Sequence, residues 1–459
     1  MLKKRGTSYF IAVTLLFLFF WIGYEVQRHE TATLLILYAC IFTLYAWIIS
    51  QRDSANINFW IACAIIFRLI LIFSIPNLSE DFYRFIWDGR LLAAGYHPFA
   101  YPPSYYIENN VTIAGIDESL YSKLNSKNYF TIYPPVAQLI FWFAAKTSTS
   151  VYGSLIILKS FNIIAEIGSI ILLQKLLVQF NLARERVLIY ALNPLIILEL
   201  TGNAHFEAVM ISFVLLSLYL LLKKRQTFSS ISMALSIGVK LIPVIFLPAI
   251  TLVEGRRNTL RYWLVAFATL IILFLPLMDY STLTGFQNSL PYFFSRFEFN
   301  ASIYYLLREL GYVIFGHNII YVAGPLLAAI AFVLILKISI KGLPSLFLNA
   351  PDNFTARSLA IEWRYIQTLA GCLLIYYLLT TTLHPWYIAT LLALSVFSGF
   401  RFVIFWTFTI FFTYAGYSES GFSENVWLVA FEYISVILFF IYELWKKSST
   451  LNTARITSR

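Results

Sequence analysis

Residues 79–103 read SEDFYRFIWDGRLLAAGYHPFAYPP, and they place Glu80, Asp81, Arg84, Asp88 and Arg90 within eleven positions of a chain that is 59% hydrophobic and only 12% charged. Charge that dense between apolar runs marks a loop with a task. On both sides of it the sequence consists largely of apolar runs near the length that crosses a bilayer, and the mean hydropathy of the 459 residues is +0.74. A soluble fold is excluded, and the expected class is an all-α polytopic membrane protein, a single integral-membrane domain over residues 1–459.

The composition narrows the function further. The formal charge of +10 resides mostly in short loops and at the two ends, where it orients helices, so no nucleic-acid partner is assigned and membrane lipids are the surroundings. Cys40, Cys63 and Cys372 all lie in apolar runs without a CxxC pair, which argues against a disulfide framework and against a metal site. Trp21, Tyr24 and Glu25 stand where a cleaved leader would have small residues, so the first run is expected to stay as a span.

Spans are expected at 9–26, 33–49 and 60–75. With Lys3, Lys4, Arg5 and Arg52 marking the cytoplasmic side, the long loop 77–133 then faces outward. A loop of that length in an otherwise tight chain is expected to carry function. The run 136–145 is about half as long as a crossing helix and should dip in without crossing. Spans at 152–177, 187–200 and 204–222 put Arg184, Arg186, Lys223, Lys224 and Arg225 inside. The run 228–253 is interrupted by Lys240, Pro243 and Pro248, which favours a hairpin of two half-helices. A span at 263–277 leads to a second outer loop, 279–302, with the aromatic segment Phe293-Phe294-Ser295-Arg296-Phe297-Glu298-Phe299. An interfacial helix at 303–315, a span at 319–336, an inner loop at 342–364 and spans at 366–381, 386–398, 403–414 and 426–444 complete about eleven to thirteen membrane segments.

If 80–90 is helical, Asp81, Arg84 and Asp88 fall at i, i+3 and i+7 and share a face, with Glu80 adjacent. Carboxylates at an apolar boundary hold their protons more tightly than in water, which suits proton abstraction, so Asp81, Glu80 and Asp88 are the candidate catalytic acids and Arg84 and Arg90 the candidate binding cations. A solvated loop helix with two ordinary ion pairs is the alternative. His97, before Pro98, is read as a loop histidine, with a phosphate contact as the alternative. Tyr133-Pro134-Pro135 opens the short helix, and Gln138 one turn later is expected to face the cavity. Asn193-Pro194 interrupts a span ahead of Glu199, Asn203, His205 and Glu207, and polar groups at membrane depth usually line a cavity. Glu199, His205 and Glu207 are off the spacing of a strong metal site; no metal site is assigned, and a divalent metal stays open. Lys240 lies at a break whose helix ends favour an anion, with a snorkelling lysine as the alternative. Arg296 and His384 are expected at the rim of the same cavity, and Arg68, Lys159 and Glu166 are expected to pair with one another.

The run Asp81 to Arg90, Tyr133-Pro-Pro-Val-Ala-Gln138, Asn193-Pro with Gly202-Asn-Ala-His205, Val239-Lys240-Leu-Ile-Pro243 and Phe299-Asn-Ala-Ser302 together resemble bacterial polytopic glycosyltransferases of the GT-C superfold, of the mannosyltransferase type. The resemblance implies a GT-C-like bundle with its catalytic carboxylate in the first long outer loop, matched here by Asp81. It also implies a hexose, mannose by type, taken from a polyprenyl-phosphate donor for a lipid or glycan acceptor. Lys240 matches the lysine before a proline. The implied location is a bacterial inner membrane with the site on its periplasmic face, and the implied reaction is a single, inverting displacement. The competing class is a sugar-lipid flippase or another transporter of lipid substrates, in which the same charges would line a path.

Overall fold

The computed structural model describes residues 2–51, 56–279, 282–285, 287–288, 295–349 and 359–457; Arg52 and the pair Phe293-Phe294 lie outside the described residues. The longest apolar runs with the fewest charges become the longest helices. Among the described residues six are long and apolar enough to cross a membrane, namely Gly6–Tyr24, Thr31–Ser50, Val151–Gln179, Arg256–Leu277, Ile320–Lys341 and Val426–Ser448. A bent pair, Pro194–Gly202 and Glu207–Leu222, makes a seventh if its halves are counted as one span. The chain is an all-α integral membrane protein, and the described strands are only the two-residue pieces Tyr417–Ser418 and Gly421–Phe422.

Several expected spans are shorter than a bilayer. Ile57–Leu69, Ile242–Leu252, Pro385–Ser395 and Phe402–Gly416 are apolar helices of 10–17 residues. The sequence shows why at two of them. Lys240 is extended (φ −146°, ψ 145°) and ends the helix Gln226–Val239, after which Pro243 and Pro248 fall in a tighter helical segment. His384 and Pro385 likewise start a short helix from an extended residue. The segment expected to be helical at 303–315 is the helix Ile303–Phe315, and the short run opened by Pro134 and Pro135 is the 13-residue helix Pro135–Thr147.

One apolar core, from Ile11 to Val436, joins these helices, and charges are buried within it. Arg68 and Glu166, both fully buried, form an ion pair at 2.8 Å, and Tyr190 donates to the other Glu166 oxygen at 2.5 Å. Lys159 corrects the expected trio: it does not join Glu166 but donates to the Leu71 carbonyl at 2.9 Å, the Ser74 carbonyl at 2.5 Å and the Ser74 hydroxyl at 2.8 Å. The helix Ile57–Leu69 ends just upstream, so lysine satisfies carbonyls that the chain's turn leaves open. Arg68→Leu removes the counter-charge of a fully buried carboxylate and is expected to cost about 3–5 kcal/mol, read as a lower unfolding temperature in detergent.

The loop helix Asp81–Ala93 packs directly on Pro135–Thr147. At their crossing a Cβ on Gly89 would lie 2.2 Å from the Phe141 carbonyl oxygen, so only glycine lets the backbones approach this closely. Gly89→Ala is expected to separate the two helices and destabilise the protein by about 1–3 kcal/mol, measurable as a shift in thermal unfolding.

Candidate active site

The charges of the loop helix divide into a buried set and a solvent-facing set. Asp88 is fully buried; one carboxylate oxygen accepts from Arg84 Nε at 2.8 Å and the other from Gln138 Nε2 at 3.1 Å. Arg84 Nη1 donates to the carbonyls of Ser126 at 3.1 Å and Tyr129 at 2.8 Å. These groups therefore fasten the returning loop to two helices. Arg90, half a helical turn round from Asp81, donates to the carbonyls of Gly115 and Thr149 and lines a separate cleft of about 240 Å³ with Asp117, Ser119 and Lys123. Its donors serve the loop backbone.

Asp81 stands apart from this lattice. It is half-buried at the first turn of its helix, and its Oδ1 accepts from Asn125 Nδ2 at 2.8 Å. Burial pushes its carboxyl above the usual aspartate range, while the Asn125 hydrogen bond and the charges of Lys240 and Arg28 act in the opposite direction. Glu80 accepts from Arg28 Nη2 at 2.6 Å, and the Arg28 guanidinium lies 4.6 Å above the Tyr417 ring.

The broken helix at 193–207 supplies the opposite wall. Asn193 caps the restart by accepting from the Leu195 amide at 3.0 Å, and Pro194, which has no N–H, occupies the first turn. A π-helical turn, Ile197–Gly202, follows, then Ala204 in the left-handed region (φ 62°), and the next helix leaves at 115°. Wide turns and left-handed non-glycine residues of this kind collect at functional sites, because other contacts must hold them in place. Asn162 does so here, donating to the Leu200 carbonyl at 2.9 Å and the His205 carbonyl at 3.2 Å.

That corner gathers Glu199, Asn203, His205 and Glu207. Glu199 accepts from Tyr414 at 2.6 Å and from Asn203 Nδ2 at 3.0 Å, with His205 Nε2 3.5 Å away. Trp386 stacks on both His205, at 3.6 Å between ring centroids, and His384, at 4.5 Å. Lys240, at the break of its own helix, forms a direct ion pair with the fully buried Glu207 and lies 5.6 Å from the Tyr387 ring centroid. The second loop closes the cluster: Phe299 bridges to Thr382, which sets Phe299 and Phe297 4.6 and 6.0 Å from the His384 ring.

Asp81, Tyr133, Asn203, His205, Lys240 and His384 thus belong to one polar cluster. Tyr133 packs edge-on against Phe85 at 4.9 Å and lies within electrostatic range of Asp81, Glu207 and Tyr387. Lys240 is likewise within range of Asp81, His205 and His384. Arg84, Asp88 and Gln138 sit behind the cluster, and Arg296 is exposed with its guanidinium 5.7 Å from the Tyr321 ring centroid. His97 ties the loop to the Leu277 carbonyl at 2.9 Å. Sequence reasoning missed Arg28, Asn125 and Tyr414. The polar run Gln27-Arg28-His29-Glu30, on the same side of the second span as the 77–133 loop, was a usable signal for the first; Asn125 carried none. Among the described residues no group of three or more His, Cys, Asp or Glu is placed to hold a metal ion.

A family model described as "Alpha-(1->6)-mannopyranosyltransferase, N-terminal domain" matches residues 11–256, more than half of the chain. No curated protein matches the chain. The matched portion holds Asp81, Asn203, His205, Glu207 and Lys240, while His384, Trp386, Tyr387 and Tyr414 come from the remainder.

Proposed function

Because the chain belongs to this family of membrane mannosyltransferases, we propose that it transfers a mannosyl group from a polyprenyl-phosphate donor to a hydroxyl of a lipid or glycan acceptor, at a site on the outer face of a bacterial inner membrane. One observation carries the reading: a half-buried, loop-borne carboxylate, Asp81, lies within electrostatic range of a lysine, Lys240, at a helix break. Asp81 takes the acceptor proton as the anomeric carbon is attacked, and Lys240 receives the phosphate that leaves. A sugar phosphate is already activated, so the chain supplies a base, a cation and a partly dry setting. The GT-C bundle and the single integral-membrane domain belong to the same proposal.

Arg84, Asp88 and Gln138 are positioning residues in this scheme, because their polar atoms hold the loop that presents Asp81. Glu80 steers Arg28, and Asn203, His205 and His384 shape the wall opposite. Tyr133 backs the base. Arg90 braces the loop, and Arg296 attracts the anionic donor from the rim. A single displacement inverts the anomeric carbon, so an alpha linkage of the kind in the family's description requires a beta-linked donor.

Reconstitution in vesicles with radiolabelled polyprenyl-phosphate mannose of each anomer, and a lipid extract as acceptor, tests this. Labelled product from the beta anomer alone is expected. Transbilayer movement of the sugar lipid with no transfer would replace the reading with a flippase.

A further inference from the structure

We propose that Glu207 is the counter-charge that expels the spent polyprenyl phosphate, by holding the Lys240 phosphate site close to electrical neutrality. The inference rests on the donor chemistry proposed above. Glu207 is fully buried and pairs through one oxygen with Lys240; its other oxygen, Oε2, is buried without a hydrogen-bond partner among the described residues. An ammonium has three donors, and among the described residues the side-chain acceptor of Lys240 Nζ is Glu207 Oε1. A pair made only to hold helices together would be expected to satisfy both oxygens, as Asp88 does and as Glu166 does. This one is open on both members, at the place where the phosphate is received.

The reaction changes the charge of what sits there. In transfer, the bond between the anomeric carbon and the phosphate oxygen breaks and its electron pair stays on the phosphate. A bond from the acceptor oxygen to that carbon forms, and the acceptor proton passes to Asp81. The donor is a phosphodiester with one negative charge; the product is a monoester carrying close to two at neutral pH. Lys240 attracts both. Glu207 repels both, and repels the product roughly twice as strongly, because Coulomb energy scales with the charge. Relative to a bare lysine, the couple weakens the hold on the dianion about twice as much as the hold on the monoanion. A bare lysine would favour the product and stall turnover.

The test compares binding of farnesyl phosphate and beta-linked farnesyl phosphate mannose to the full-length protein in nanodiscs, with Asp81→Asn present throughout to block turnover. Glu207→Gln is expected to shift the ratio of the two dissociation constants toward the product by at least about tenfold, the effect of one unit charge a few ångströms away. In the active background kcat should fall several-fold through slow product release, with a burst of the first turnover. A ratio unchanged while both ligands bind overturns the inference and leaves the proposed donor class standing. If neither ligand binds the protein carrying Glu207, the donor class fails and the inference with it. Should Glu207→Gln fail to fold, the double variant with Lys240→Gln, which restores neutrality, decides: a ratio near that of the unaltered site supports the role, and a tenfold shift toward product refutes it.

Discussion

Asp81→Asn is expected to abolish transfer, by about 10²- to 10⁴-fold in kcat, while the protein still folds and still binds the donor. The asparagine fills the same volume and its side-chain carbonyl oxygen can still accept from Asn125 Nδ2, so the structural cost is small. What disappears is the basic lone pair. Neighbouring carboxylates cannot take over: Asp88 is buried with both oxygens occupied, and Glu80 is held by Arg28. The pH profile gives a second reading. Burial raises the Asp81 carboxyl above its ordinary value, and a base works only when ionised, so kcat/KM should be full at the alkaline side and fall as the pH drops through this raised value. The acid limb is expected above the range near 3.9 typical of free aspartate. Wild-type transfer by Asp81→Asn, measured with labelled donor, would sink the assignment.

Lys240→Gln carries the other large effect, and it acts on both stability and rate. The substitution leaves Glu207 as a buried carboxylate with no counter-charge, which typically costs about 3–5 kcal/mol. It also removes the cation proposed to meet the leaving phosphate, for which a loss of about 10²- to 10³-fold in kcat is expected. The two effects separate in the double variant Lys240→Gln/Glu207→Gln. Neutralising both members should restore the unfolding temperature toward that of the unaltered protein while activity stays low. Recovery of activity along with stability would mean that Lys240 serves only to neutralise Glu207.

Membrane residence and helical class are properties of composition and were legible before any coordinates, as was the short reach of the segments 136–145 and 228–253; the short reach of Ile57–Leu69, Pro385–Ser395 and Phe402–Gly416 was not. Proline and asparagine act locally, so Asn193-Pro194 and the break at Lys240 announced themselves, as did the half-length helix after Pro134-Pro135. The stretch 79–103 was also recognisable as a charged loop, and it forms the helix Asp81–Ala93 from which Asp81 was singled out; Lys240 was singled out separately, at the break of another helix. What the sequence could not assign was which charges meet. Helical spacing put Asp81, Arg84 and Asp88 on one face, yet burial takes Arg84 and Asp88 out of solvent and leaves Asp81 facing it. Spacing likewise suggested that Lys159 would join Glu166, seven residues along, whereas the lysine turns to backbone carbonyls of another helix end. Pairings such as Glu207 with Lys240, Asp81 with Asn125 and Glu199 with Tyr414 span 33, 44 and 215 positions. A hydrogen bond depends on ångströms in space, and only the packing of helices against one another fixes those distances.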